Sequence, residues 1–185
     1  MTTHVAGVVL AAGDGSRAGG PKALRHAPDG RAWLTLAAEA LRTAGCSPVF
    51  VVLGAEAQRA LALVPQWAMP VVARDWMEGQ SASLRAALRA AGTTPADALL
   101  ITLVDLPEQT PDAARRVLAA AQGTASLARA TFDGAPGHPV LIGRDHWAPL
   151  RETLTGDEGA RAYLADHGVG LVDCTDLGGG ADVDD

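Results

Sequence analysis

Short apolar runs rich in β-branched residues alternate along the chain with Ala/Leu/Arg stretches whose apolar positions recur at helical spacing. Val5 to Ala11, Pro48 to Leu53, Met69 to Ala73, Ala98 to Val104, Ala125 to Ala130, Pro139 to Ile142 and Val169 to Cys174 read as strands. Near-continuous apolar strands of this kind suit a sheet covered on both faces. Between them, Trp33, Leu34, Ala37, Ala40 and Leu41 fall on one face of a helix. Leu84, Ala87, Leu88 and Ala91 repeat the pattern, with Ser81 or Ser83 available as an N-cap. Thr110-Pro111 opens a further helix with a cap followed by proline in the first turn. The alternation predicts an α/β protein with a mostly parallel central sheet between helical layers. Phe132 to Pro139, "FDGAPGHP", reads as a turn-rich link between two strands. With no linker, repeat or low-complexity segment in the sequence, residues 1–185 read as a single domain.

Composition narrows the functional classes. At 185 residues and 48% hydrophobic content, one such domain can bury about 70% of its unfolded surface. The longest apolar stretches fall far short of the roughly 20 residues a membrane helix needs. Met1-Thr2-Thr3-His4 also lacks the basic region of a signal peptide. The chain is therefore expected to be soluble and cytoplasmic, with no membrane partner. A formal net charge of −6 speaks against a nucleic-acid surface, which shows a basic stripe; an anionic small molecule stays open if positive charge is gathered locally. Cys46 and Cys174 form no CxxC pair and read as small buried hydrophobes. His4, His26, His146 and His167 show no metal spacing, and Trp33, Trp67, Trp76 and Trp147 read as core or rim residues.

The cations are distributed unevenly by type: fourteen arginines and a single lysine, Lys22. Arginine is a wide planar fork and lysine a compact point charge, so the lone lysine suggests a place that needs a narrow ammonium. Lys22 lies in the loop after the first strand, where ligands of parallel sheets bind. Gly13-Asp14-Gly15-Ser16-Arg17-Ala18 fits GxGxxG/A and raises a dinucleotide-binding reading. Gly19-Gly20-Pro21 interrupts the helix that such a site requires, and Pro28-Asp29-Gly30 breaks it again. GxxxxGK[ST] fails as well, because Lys22 follows Pro21 and precedes Ala23. There remains a long wrapping loop whose bare backbone amides can approach a polyphosphate, with Arg17, Lys22 and Arg25 supplying charge.

"LAAGDGSRAGGPK" resembles the L-A-A-G-x-G-x-R-x-G-x-P-K loop of the sugar-nucleotide pyrophosphorylase-like nucleotidyltransferases. "WMEGQSASLRAAL", "LVDLP", "PGHPVLIGR" and "GDEGAR" follow in the order of the molybdenum cofactor cytidylyltransferase branch and its guanylyltransferase cousins. The resemblance implies a three-layer Rossmann-like nucleotidyltransferase fold. It also implies Mg²⁺-dependent transfer of CMP from CTP to the phosphate of molybdopterin, with release of pyrophosphate and contact with a molybdoenzyme or its chaperone. Matched motif by motif, Leu10, Ala11, Ala12, Gly13, Gly15, Arg17, Lys22, Gly79 and Ser81 would hold the nucleotide. Arg17, Lys22 and Asp105 would be catalytic, and His138 and Arg161 would face the acceptor. Asp105, Asp182 and Asp184 would take the metal. Charge neutralisation at the α-phosphate and the leaving pyrophosphate is what such a reaction asks of them.

Other readings stand beside these. Asp105 also suits a turn before Leu106-Pro107, Ser81 a helix cap, His138 a turn, and the acidic terminus a solvated tail; Thr155-x-x-Glu158 is also a capping box. Ala18 stands where the family has Met, Leu106 where the branch has Gln, and the T-P-E-D segment after the last aspartates is missing. Pro21 before Lys22 resembles the cytidylyl branch, whereas the guanylyl branch more often has an acidic residue there, and this resemblance implies CTP rather than GTP. A GTP-using or other-acceptor transferase, a non-catalytic nucleotide- or cofactor-binding accessory protein and, more distantly, a nicotinamide oxidoreductase remain as alternatives.

Overall fold

Alternate side chains of the first strand serve two cores. In β1, Val5–Ala11, Val5, Val9 and Ala11 face one layer of helices while Ala6 and Val8 face the other, as the two-residue period of a strand demands. The computed structural model describes residues 3–15 and 19–183. After β1 the order is α1 (Trp33–Ala44), β2 (Val49–Leu53), α2 (Ala57–Leu61), β3 (Met69–Val72), α3 (Gln80–Gly92), β4 (Ala98–Leu103) and α4 (Pro111–Leu118). Then come β5 (Leu127–Phe132), β6 (Ala135–Gly143), α5 (Trp147–Thr153), α6 (Arg161–Asp166) and β7 (Gly170–Asp173). The strands form one seven-stranded sheet of order β3-β2-β1-β4-β6-β5-β7. β6 runs antiparallel to β4 and β5, and the other pairs are parallel. Helices α1 and α4 supply Leu34, Ala37, Leu41, Ala113 and Val117 to one core. The other core takes Leu84, Ala87 and Leu88 of α3, Leu150 of α5 and Leu164 of α6. This is the three-layer α/β fold. Among the described residues no helix is long and apolar enough to cross a membrane.

All seven expected strands are present, and the differences lie in how elements begin. Thr110 caps α4 as expected, its hydroxyl accepting from the Ala113 amide. By contrast, neither serine caps α3, because Gly79 occupies that position and the helix starts at Gln80. Ser81 and Ser83 fall in its first turn, both buried. The stretch from Phe132 to Pro139 is not a link either. Asp133 and Gly134, both at positive φ, make a two-residue hairpin turn, and β6 begins at once with Ala135. The prolines are accommodated by an irregularity in the ladder. Arg129 pairs with Val140 and Thr131 with Pro136, so residues 137, 138 and 139 stand opposite Ala130 alone. Such bulges re-aim side chains and recur beside functional sites.

Residues 178–183 run back past the end of β5 to the segment that follows β4. A Cβ on Gly179 would lie 2.3 Å from the Glu108 carbonyl oxygen, and one on Gly180 would lie 2.3 Å from the Phe132 ring. Only glycine lets the backbone pass that close. Beyond them the Val183 amide donates to the Asp105 carbonyl at 3.1 Å.

Candidate functional site

From β1 the chain passes to β2 and β3 on one side, then crosses to β4 on the other. The carboxyl ends of β1 and β4 therefore flank a topological switch point, where connections diverge and leave a crevice. The loop leaving β1 fills its floor. Gly15 has φ +59°, and a Cβ there would lie 1.9 Å from the Gly20 oxygen; the Gly20 amide donates back to the Gly15 carbonyl at 3.1 Å. The loop thus doubles on itself and ends in a 3₁₀ turn, Lys22–Leu24, rather than the α-helix that a dinucleotide-phosphate site needs. Gly54, at the end of β2, leaves room for its approach, since a Cβ there would meet the Ala12 oxygen at 2.5 Å and the Trp76 Cβ at 2.6 Å.

Opposite the loop, Asp105 follows β4. Lys22 Nζ donates to Asp105 Oδ2 at 3.0 Å, and the two side chains are only 15% and 19% exposed. The other oxygen, Asp105 Oδ1, is buried without a hydrogen-bond partner, a costly state for an anionic oxygen that has nothing to bind. A cavity of about 440 Å³ opens over this pair, lined by Leu10, Ala11, Ala12, Gly13, Asp14, Gly15, Lys22, Gly79, Ser83 and Asp105 among others. Most of the residues assigned to the nucleotide by resemblance are thereby brought together. Ser81 is not: it is fully buried, its hydroxyl accepts from Arg85 Nη1 at 3.2 Å, and Ser83 lines the cavity instead. Arg17 lies outside the described residues.

Gly79 ties this cavity to a second. At φ +107° a Cβ on it would lie 2.4 Å from Asp157 Oδ1 and 2.5 Å from the Gly156 oxygen, and the Ser81 amide donates to that oxygen at 3.1 Å. The 156–159 stretch is thereby pinned to the start of α3. Thr155 and Glu158 close a turn there, the Glu158 amide donating to the Thr155 carbonyl; α6 starts only at Arg161, behind Ala160. The capping-box reading is thus corrected. Between α6, α3 and the sheet lies a cavity of about 630 Å³ with apolar walls of Leu10, Leu84, Ile101, Val140, Ile142 and Leu164. Its polar groups include Gln80, Arg129, His138, Asp157 and Arg161, and Leu10, Gln80 and Asp157 face both cavities.

His138 projects from the bulge of β6. Its carbonyl accepts from Gln109 Nε2 at 2.8 Å, and Gln109 Oε1 in turn accepts from the buried Thr102 hydroxyl. Burial, with help from the Arg129 charge, pushes the imidazole pKa down to about 4, so near neutrality the ring is an uncharged hydrogen-bonding group. Thr102 and Gln109 carry no sequence signal for this role, because a strand threonine and a loop glutamine are joined only by the fold.

Among the described residues no three His, Cys, Asp or Glu side chains gather as a metal cluster. A hard divalent cation with few protein ligands does not need one. The orphaned Asp105 Oδ1 is a fitting donor, and the tail's bond from Val183 brings the Asp182 segment to the same aspartate. Asp184 lies outside the described residues.

Comparison with known proteins gives the site its relatives. Residues 7–171 match the family model for the MobA-like NTP transferase domain. A nicotine blue oxidoreductase of Paenarthrobacter nicotinovorans is 38% identical, across 97% of this chain and 92% of its own. A molybdenum cofactor guanylyltransferase of Cereibacter sphaeroides is 30% identical, across 88% and 82%. Among solved structures, Rv0371c from Mycobacterium tuberculosis H37Rv superposes with a TM-score of 0.77 at 30% identity, covering 94% of this chain and 88% of its own. The same protein in complex with manganese gives 0.74 at 25% identity, with the same coverage.

Proposed function

Because the chain belongs to the MobA-like NTP-transferase family, we propose that it is a Mg²⁺-dependent nucleotidyltransferase that moves a nucleotide from CTP or GTP onto the phosphate of a small acceptor. An acceptor phosphate oxygen bonds to the α-phosphorus, the bond from that phosphorus to the bridging oxygen breaks, and pyrophosphate leaves with the electron pair. Molybdopterin is the first acceptor to test. GTP stands beside CTP as donor because the relative at 30% identity is a guanylyltransferase.

The observation that carries the reading is the meeting of Lys22 and Asp105 at 3.0 Å under a glycine loop at the switch point. Loop amides and the Lys22 ammonium are suited to the triphosphate, and the compact ammonium can leave Asp105 for a phosphate oxygen without moving its stem far. Asp105 and Asp182 would hold Mg²⁺, which supplies charge neutralisation at the phosphates when bound; the manganese complex of Rv0371c supports a divalent ion on this fold. Incubation with Mg²⁺, molybdopterin and each NTP should release pyrophosphate with CTP or GTP. Asp105→Asn should abolish release, and Lys22→Arg should slow it roughly 10²–10³-fold, the loss typical of one displaced charge contact. No release with any nucleotide, or an unimpaired Lys22→Arg, would count against the proposal.

A second reading has one observation behind it: the 38% identity to an enzyme named for oxidoreduction of nicotine blue. An apolar cavity of about 630 Å³ beside the loop has room for a planar ring system. Loss of that dye's absorption in the presence of a reduced nicotinamide, without pyrophosphate release, would favour this reading.

A further inference from the structure

Arg85 stands on the second turn of α3 with its side chain 19% exposed, and it is not among the residues that line either cavity. Its Nη2 meets Glu78 Oε2 at 2.6 Å and Asp75 Oδ2 at 3.6 Å. Its Nη1 donates to the Leu154 carbonyl at 3.1 Å as well as to the Ser81 hydroxyl. One guanidinium thus bonds two segments that are remote in sequence. The first is the turn of residues 75–78, which with Gly79 brings Trp76 and Met77 to the wall of the smaller cavity. The second begins at the C-terminal end of α5, whose carbonyls need donors from outside the helix. Three residues after Leu154 it reaches Asp157, which faces both cavities. The two segments meet where Gly79 passes Gly156 and Asp157. Such a close approach is not in itself attractive; together with the bond from the Ser81 amide to Gly156, the Arg85 fork draws its two sides together. A helix-surface ion pair has its partner three or four residues away on the same helix, whereas Glu78 and Leu154 are 7 and 69 positions off and outside α3.

We propose that Arg85 is a positioning residue for nucleotide transfer, holding the walls of the two cavities in one register so that it governs turnover and not nucleotide affinity. Binding of a triphosphate falls to Lys22, Asp105 and the loop amides after β1, whereas the register of the two walls decides how the α-phosphorus is presented to the larger cavity. A displacement of about 1 Å between reacting groups can cost about 10²-fold in rate. Geometry matters here beyond charge: a lysine ammonium could pair with Glu78 but could not fork to the Leu154 carbonyl at the same time. The kinetic consequence rests on the transferase reading, while the clamp itself belongs to the ligand-free protein.

Hydrogen–deuterium exchange and steady-state kinetics of the full chain test this together. In ligand-free Arg85→Met, amide exchange should quicken about tenfold or more in both 75–81 and 154–160 and stay as in the wild type in β1 and β4. With Mg²⁺, molybdopterin and CTP or GTP, pyrophosphate release should show kcat down about 10²-fold with the nucleotide KM held within about threefold. The calorimetric stoichiometry of nucleotide binding should match the wild type, so that the loss is not a loss of folded protein. Arg85→Lys should recover little of the turnover, and Arg89→Met, exposed on the same helix, should match the wild type. Glu78→Gln removes one side of the clamp at an exposed carboxylate; should Arg85→Met fail to fold, this variant should still quicken exchange at 75–81 and lower kcat at unchanged KM. Unchanged exchange in either segment of Arg85→Met, a kcat that stays at the wild-type value, or full turnover in Arg85→Lys would overturn the proposal. A wild-type protein that releases no pyrophosphate would count against the transferase reading alone, with exchange still deciding whether Arg85 joins the two walls.

Discussion

His138 illustrates how a single residue can link site and stability. Its pKa of about 4 in the folded protein lies below the ordinary 6.5, because burial and then the Arg129 charge disfavour the imidazolium. The unfolded chain therefore takes up the proton first as pH falls. The residue's contribution is intact above about pH 6.5 and is lost progressively between 6.5 and 4, with a slope of at most about 1.4 kcal/mol per pH unit. Denaturant unfolding measured from pH 7.5 to 4 should show that extra slope in the wild type and its absence in His138→Gln; parallel curves would contradict the burial argument. At the same scale, burial pushes the Cys46 thiol up to about 12, in keeping with a cysteine that acts as a small hydrophobe. That role was legible in the sequence, as was the singular Lys22. Arg129 was not: one arginine among fourteen carries no mark, and only the folded sheet reveals that its Nε is buried without a partner among the described residues.

Among the elements, strands were legible because burial on both faces leaves an unbroken apolar run, as in Val49–Leu53, buried throughout. Starts of elements were less so. A serine before an apolar run fits a cap and a first turn equally well, and α3 uses Gly79 because residues 156–159 press against that point. β6 was partly hidden because Pro136 and Pro139 break the expected ladder, and the bulge that accommodates them depends on the pairing with β5. Two glycines bounding α3 test the close approach. Gly79→Ala puts a Cβ 2.4 Å from Asp157 Oδ1 at φ +107° and should cost about 1–3 kcal/mol, visible as a lower melting temperature. Gly92→Ala meets nothing within 4 Å and should be neutral or mildly stabilising. Equal effects would mean that the contact between Gly79 and the 156–159 stretch does not matter.

Across the whole molecule, the sheet order places the β1 loop and the β4 tip side by side although they are 83 positions apart at Lys22 and Asp105. The returning tail brings Val183 to the same aspartate. Motif resemblance could name most of these residues one by one, whereas the junction of two cavities through Leu10, Gln80 and Asp157 belongs to the fold alone. A nucleotide spanning that junction would present its α-phosphate to whatever fills the larger cavity, which is the geometry transfer requires. A crystal structure of the protein with Mg²⁺ and CTP or GTP tests this most directly. The triphosphate should lie between residues 13–22 and Asp105, with the Lys22 ammonium moved from Asp105 to a phosphate oxygen; a nucleotide bound elsewhere, or one bound there while the 3.0 Å Lys22–Asp105 pair stays intact, would contradict it.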